Sequence, residues 1–147
     1  MDALAETTNG RATVAAVAAG CATTDNGPRG GNAVRYVLLF VETEQFARDL
    51  EAMSQPDRDR AYELAAKWMA DHADKVRGGN QLQPAHTATT VRLDAGAEPV
   101  ITDGPFVDGK EVVGGYTEIE VADLDEALRM VRTWPGCPVV EIRPLIT

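Results

Sequence analysis

Residues 102–106 read Thr-Asp-Gly-Pro-Phe, and residues 109–116 read Gly-Lys-Glu-Val-Val-Gly-Gly-Tyr. This segment combines turn-forming residues, a charged cluster and a glycine pair, which predicts a sharp loop at a functional surface. The glycine pair Gly114-Gly115 predicts a β-bulge or a close backbone approach rather than a phosphate-binding loop, because no helix start follows it directly.

The chain before this loop shows one strand and one clear helix. Residues 36–41 (Tyr-Val-Leu-Leu-Phe-Val) form a continuous apolar run, which predicts a first strand buried at the centre of a sheet. Ser54, with Asp57 three residues on, predicts the start of a helix that ends near Lys75. Its apolar positions recur at helical spacing and should face the sheet: Ala61, Leu64, Ala65, Trp68 and Met69.

Short strands and a second helix are predicted further along. Residues 79–82, 87–93 and 99–102 read as a meander, in which Val91 and Leu93 face the core and Arg92 faces away. Residues 115–121 and 139–142 predict two more strands. Asp123 with Glu126 predicts a capping box for a helix whose inner face carries Leu124, Ala127, Leu128 and Val131.

The order strand, helix, strands, strand, helix, strand is a split βαβ pattern, so we expect an α+β, ferredoxin-like fold with an antiparallel sheet. Two helices would cover one face of that sheet. The other face also needs a cover, which predicts a homodimer.

Four segments give the chain a family resemblance. The loop Asp-Gly-Pro-Phe at 103–106, the segment Gly-Gly-Asn-Gln-Leu-Gln-Pro at 78–84, Asp-Leu-Asp-Glu-Ala-Leu at 123–128 and Val-Glu-Ile-Arg-Pro-Leu at 140–145 together resemble the YCII-related domain family, in its DGPF-motif branch. The resemblance implies a dimeric α+β barrel, with the domain over residues 33–147. It also implies a small organic ligand in a dimer-interface pocket and a cofactor-independent lyase or isomerase that moves a proton. The alternative it offers is a non-catalytic binding or regulatory module, since members of this branch are associated with sigma-factor regulation.

Composition and charge limit the classes of partner and the cellular location that we expect. The 147 residues suit one domain, and a formal charge of -9 argues against nucleic acid, which requires a basic surface. No apolar run is long enough to span a membrane. The two cysteines, Cys21 and Cys137, show neither metal-ligand nor disulfide spacing, so we expect no metal and a cytoplasmic location, while the absence of a cofactor is what the resemblance implies. Residues 1–32 read as a flexible tail, and the small-residue run before Cys21 lacks the basic start of an export signal.

Three residues are candidates for acid-base catalysis. Asp103 either caps the turn before Gly104-Pro105 or places a carboxylate at a pocket rim. His72 is either a helix-end histidine or a pocket base, and His86 is either an incidental loop residue or a catalytic addition.

Five residues are candidates for substrate binding. Arg92 would pair with an anionic group, while Lys110 and Glu111 form either a rim salt bridge or a substrate clamp. Phe106 belongs to the resembled loop. The short relatives in the wider family carry a histidine near residues 57–62, where this chain has none, and Tyr62 stands in that neighbourhood as a ligand contact.

Overall fold

The computed structural model of the protein describes residues 31–107 and 109–146. Almost all of the predicted N-terminal tail, including Cys21 and the small-residue run before it, lies outside the described residues. Within them the chain forms six strands and three α-helices. The elements, in chain order, are β1 (Val34–Thr43), α1 (Glu44–Ala52), α2 (Gln55–Asp71), β2 (Val76–Gln81), a 3-10 turn (Ala85–Thr87), β3 (Thr89–Arg92), β4 (Val100–Asp103), β5 (Glu111–Val121), α3 (Leu124–Val131) and β6 (Val139–Pro144).

The main sheet has four antiparallel strands in the order β2-β5-β1-β6. Helices connect β1 to β2 and β5 to β6, which is the connectivity of a split βαβ fold. The predicted α+β, ferredoxin-like fold is therefore confirmed. Strand β1 lies at the centre, as its apolar run predicted, and buries Tyr36, Leu38 and Phe40 on the helix-covered face.

Side-chain caps start the helices where the sequence predicts them. The Ser54 hydroxyl accepts a hydrogen bond from the Asp57 amide at 3.3 Å, and Asp123 accepts one from the Glu126 amide at 2.8 Å. The Glu126 carboxylate reaches back to the amide of Ala122 at 2.7 Å, so the reciprocal half of the cap falls one residue earlier than in a standard capping box.

Helix α2 ends earlier than predicted. His72 leaves the helical conformation, and its carbonyl accepts hydrogen bonds from the amides of Lys75 and Val76 at 2.9 and 3.0 Å. This tight turn ends the helix at Asp71 rather than near Lys75, and it lets β2 begin at Val76.

The core is an aromatic cluster between α2, the sheet and the segment after α3. The indole N–H of Trp68 donates to the Thr133 hydroxyl at 2.9 Å and to the Met130 carbonyl at 3.3 Å. The ring of Trp134 lies between Phe40 and Trp68, with ring centroids 4.4 and 5.1 Å away. These contacts attach the C-terminal half of α2 to the rest of the domain.

The predicted meander is confirmed where β3 pairs with β4 and wrong where it places β2 beside them. Strand β2 pairs with β5 in the main sheet, while β3 and β4 pair only with each other within the described chain. Because this hairpin stands apart from the main sheet, Val91 and Leu93 are 48% and 77% exposed instead of facing the core. On α3 the buried residues are Ala127 and Met130, whereas the predicted inner residues Leu124 and Leu128 are exposed at its flanks.

Truncating a central core side chain should cost far more stability than truncating an exposed one. Leu38 is fully buried at the sheet centre, so Leu38→Ala should lower the free energy of unfolding by about 2–5 kcal/mol, measured by urea denaturation. The matched control is Leu64→Ala on α2, where the side chain is 49% exposed and the loss should stay below about 1 kcal/mol. Equal losses for the two variants would contradict this location of the core.

Candidate functional site

A cavity of about 190 Å³ lies between helices α1 and α2 and the helix-covered face of the main sheet. Its helical side includes Phe46, Leu50, Tyr62 and several alanines, and its sheet side includes Phe40 and Glu42. The segment after α3 contributes Trp134 and Cys137. The lining is mostly apolar, with few polar groups, which is the usual composition of a small-molecule site.

Small residues on both walls create this space. Helix α2 turns Ala61, Ala65 and Ala66 toward the sheet, the last two lying four and five residues after the first, about one helical turn further on. Opposite them, β2 and β5 present backbone at Gly78-Gly79 and Gly114-Gly115. The cavity is thus volume that larger side chains at these positions would occupy.

A β-bulge at Gly114 makes room for one carboxylate. In the β1–β5 pairing, Phe40 lies opposite Gly115 and Val41 lies opposite Val113, so Gly114 is left without a partner in the register. A Cβ atom at Gly114 would overlap the carboxyl group of Glu42. Of the two predicted alternatives at the glycine pair, the bulge is therefore confirmed, and the group that lies closest to Gly114 is the Glu42 side chain.

Glu42 is the one carboxyl among the described residues that line this cavity. It is half-buried, and burial raises the pKa of its carboxyl above the ordinary value of 4.5. Among the described residues, the Glu42 carboxyl has neither a hydrogen-bond partner nor an ion-pair partner in the structure. A half-buried carboxyl with a raised pKa at a cavity wall is suited to exchanging protons with a ligand.

Cys137 lines the same cavity but is a poor nucleophile there. Burial raises the pKa of its thiol above 9.0, the nearby Glu42 carboxylate raises it further, and the Trp134 side chain acts in the opposite direction. The Sγ atom donates a hydrogen bond to the Val139 carbonyl at 3.5 Å. With its pKa raised, the thiol stays protonated near neutral pH. It is a poor nucleophile in that state, because only a thiolate is strongly nucleophilic.

Of the residues predicted from sequence, Tyr62 lines this cavity. Asp103, Arg92 and Phe106 lie on or just after the β3–β4 hairpin, and all three are exposed. The Arg92 guanidinium donates to the Phe106 carbonyl at 3.3 Å, so the hairpin brings these two together. Their predicted roles in binding and catalysis stay predictions.

The remaining candidates lie elsewhere. Lys110 and Glu111 are exposed at the start of β5, where the Lys110 carbonyl accepts from the Glu44 amide at 2.9 Å. His86 is exposed in the 3-10 turn. His72 follows the last residue of α2, with Nδ1 2.8 Å from the Trp68 carbonyl and its ring centroid 4.4 Å from that of Trp68. His72 also lines a second, more polar cavity of about 220 Å³ between the C-terminal ends of α2 and α3.

Within the described chain, no three His, Cys, Asp or Glu side chains are grouped closely enough to hold a metal ion. Nor does any helix in residues 31–107 and 109–146 have the length and hydropathy needed to cross a bilayer.

The α+β fold agrees with the protein family that the sequence matches. A family model for the YCII-related domain matches residues 34–146, which span all nine strands and helices described above. The chain belongs to the YCII-related domain family. A curated relative from Rhizobium meliloti (strain 1021), named Uncharacterized protein R00369, is 34% identical over 108 residues, covering 71% of this chain and 76% of the relative. The family prediction is confirmed, and the finer placement of this YCII-related domain in the DGPF-motif branch stays a prediction.

Sequence reasoning missed Glu42, whose carboxyl lies at the cavity of this YCII-related domain. The available signal was its position: Glu42 directly follows the apolar run 36–41, so a carboxylate ends the strand predicted to be most buried. The alanines of α2 were assigned to the packed face, whereas they line unfilled space.

The stability of the protein should depend on pH through Glu42. Because its pKa is raised on folding, its protonated form contributes stability below about pH 4.5, and this contribution is lost as pH rises through the folded-state pKa. Glu42→Gln removes that dependence. The free energy of unfolding of the variant minus that of the wild type should therefore increase from pH 4 to pH 7, measured by denaturant titration at each pH.

The matched control is Glu98→Gln, at an exposed position between β3 and β4, whose difference from wild type should stay flat over the same range. A flat difference for Glu42→Gln as well would show that the Glu42 carboxyl is as well solvated in the folded chain as in the unfolded one.

Proposed function

We propose that this YCII-related domain binds a small organic compound in the α2–sheet cavity and uses Glu42 to accept or donate a proton. The reaction class would be that of a cofactor-independent lyase or isomerase. The observation that carries the proposal is the partially buried Glu42 carboxyl, without a partner in the described structure, at the wall of an apolar cavity.

The physical basis is that burial brings the pKa of the Glu42 carboxyl closer to the value that a general base needs. A general base works best when its pKa approaches the working pH, and burial moves a carboxyl in that direction. The carboxyl would take a proton from the bound compound, and the same acid would return it at another position or protonate a leaving group. Tyr62, on the opposite wall, offers a hydroxyl to orient the compound.

Under the dimer-interface hypothesis, Asp103, His72 and His86 are the acid-base candidates instead of Glu42. That hypothesis requires a second copy to bring the hairpin to the ligand, whereas the Glu42 hypothesis requires only residues of one chain. The two are separated by which substitutions abolish turnover once a substrate is known.

Filling the cavity should abolish ligand binding without unfolding the chain. Ala65→Leu places a larger side chain into the 190 Å³ space, so we expect stability to be kept or raised by about 0.5–2 kcal/mol. Binding of benzene-sized compounds, measured by ligand-observed NMR, should be lost, since an apolar cavity of about 150 Å³ already holds benzene. A compound that binds should then be incubated in D₂O with wild type and Glu42→Gln to detect proton exchange.

The matched control is Ala47→Leu on the exposed surface of α1, which should bind the same compounds as wild type. Failure of the wild type to bind any compound of this size, or binding that Ala65→Leu leaves intact, would refute the cavity as the ligand site.

A second proposal concerns the homodimer. The β3–β4 hairpin and the loop after it expose Val100, Ile101 and Phe106 to 55, 67 and 77%. Exposed apolar side chains grouped in this way favour an interface. This observation also favours the alternative function, a non-catalytic module that binds a protein partner such as a regulator of sigma factors.

Light scattering coupled to size-exclusion chromatography separates the two uses of the hairpin. We expect a mass twice the 15.8 kDa of one chain, falling to one chain for Ile101→Asp, which places a charge on the exposed hairpin. The control Glu98→Asp should leave the mass unchanged. A wild-type chain that is monomeric at micromolar concentration would refute the homodimer and favour the binding module.

A further inference from the structure

The α2–sheet cavity has an unusual balance of charge. Among the described residues that line it, Glu42 is the one charged side chain, and no lysine, arginine or histidine is present. An anionic ligand would meet a carboxylate in a poorly solvated space without any compensating positive charge. The wall therefore selects against carboxylates and phosphates.

The same wall is rich in aromatic side chains. Five of the eight phenylalanines, tyrosines and tryptophans in the chain line the cavity: Phe40, Phe46, Tyr62, Tyr116 and Trp134. The negative faces of aromatic rings attract cations, and the attraction strengthens when the cation is withdrawn from water. One carboxylate together with aromatic walls is the combination that binds organic ammonium groups.

The state of Glu42 fits such a ligand. Its carboxyl lacks a hydrogen-bond or ion-pair partner in the described part of the chain, and its ionised form therefore lacks compensation. A positively charged ligand group at the cavity would compensate the negative charge of the Glu42 carboxylate. The formal charge of -9 on the whole chain would also raise the local concentration of cations.

We infer that the α2–sheet cavity is a site for a small organic ammonium compound, whose positive group lies against Glu42 and whose apolar body lies against the aromatic wall. This inference rests on the proposed use of the cavity as the ligand site and adds the charge of the ligand. The volume of about 190 Å³ limits the compound to about the size of a substituted benzene ring, since pockets for drug-sized ligands are roughly 300–1,000 Å³.

Three probes of nearly equal shape test the charge. Benzylammonium, benzyl alcohol and benzoate carry one positive, no and one negative charge on the same ring. Titrations of the full chain at pH 7, followed by calorimetry or protein NMR, should give a dissociation constant for benzylammonium about tenfold lower than for benzyl alcohol. Benzoate should show no measurable binding.

Glu42→Gln should remove the preference for benzylammonium, while Glu98→Gln, whose side chain is exposed and distant in the hairpin, should retain it. Lowering the pH through the raised pKa of Glu42 should weaken benzylammonium and leave benzyl alcohol nearly unchanged. Benzyl alcohol binding as tightly as benzylammonium, or a preference that survives Glu42→Gln, would overturn the inference.

Ala65→Leu separates this inference from the proposal beneath it. If benzyl alcohol binds wild type but not Ala65→Leu, and benzylammonium has no advantage, the cavity is the ligand site and only the positive charge is wrong. If Ala65→Leu leaves binding of every probe intact, or no probe binds wild type, the cavity is not the ligand site and both proposals fail together.

Discussion

Attachment of α2 at one end is the constraint on which the rest of the domain depends. Trp68 is buried, its indole N–H is bonded to Thr133 and Met130, and its ring meets Trp134 edge-on. These contacts hold the C-terminal half of the helix against the segment after α3. The preceding turns can then present alanines to the sheet and leave a cavity, because the helix does not rely on them for its attachment.

A cavity with a carboxyl at its wall lowers stability, and its retention therefore calls for a reason. Unfilled apolar volume forgoes dispersion contacts, and a buried carboxyl without a partner forgoes solvation. Glu42 contributes to both losses, since its poorly solvated carboxyl lies at the wall of the unfilled volume. The bulge places Gly114 beside this carboxyl, where any larger residue would collide with it. Natural proteins accept such local costs mainly where binding or chemistry requires them. This convergence at Glu42 is the reason for proposing the cavity as the ligand site.

The sequence predicted the fold well because its strongest signals are local. The apolar run 36–41 is typical of a strand buried on both faces or at a sheet centre, and the caps at Ser54 and Asp123 depend on side chains within three residues. The pairing of β2 with β5 was missed because it is set by contacts between distant parts of the chain. The hairpin was misjudged for the related reason that alternation in residues 89–93 shows a strand with two faces, but not what covers either face.

The conspicuous motif at residues 102–106 and the candidate site at the cavity differ in the kind of residue that forms them. In the 102–106 segment, Gly104 has a φ of 99°, its amide donates to the Ala88 carbonyl at 2.7 Å, and its own carbonyl accepts from the Thr90 hydroxyl at 2.7 Å. The turn itself requires glycine at position 104, whatever else the loop does. The cavity, in contrast, is built from alanines, backbone glycines and one glutamate, which are ordinary residues in any helix or strand. A site defined by missing side-chain volume leaves little trace in a single sequence, so it emerges only when the two walls are placed opposite each other.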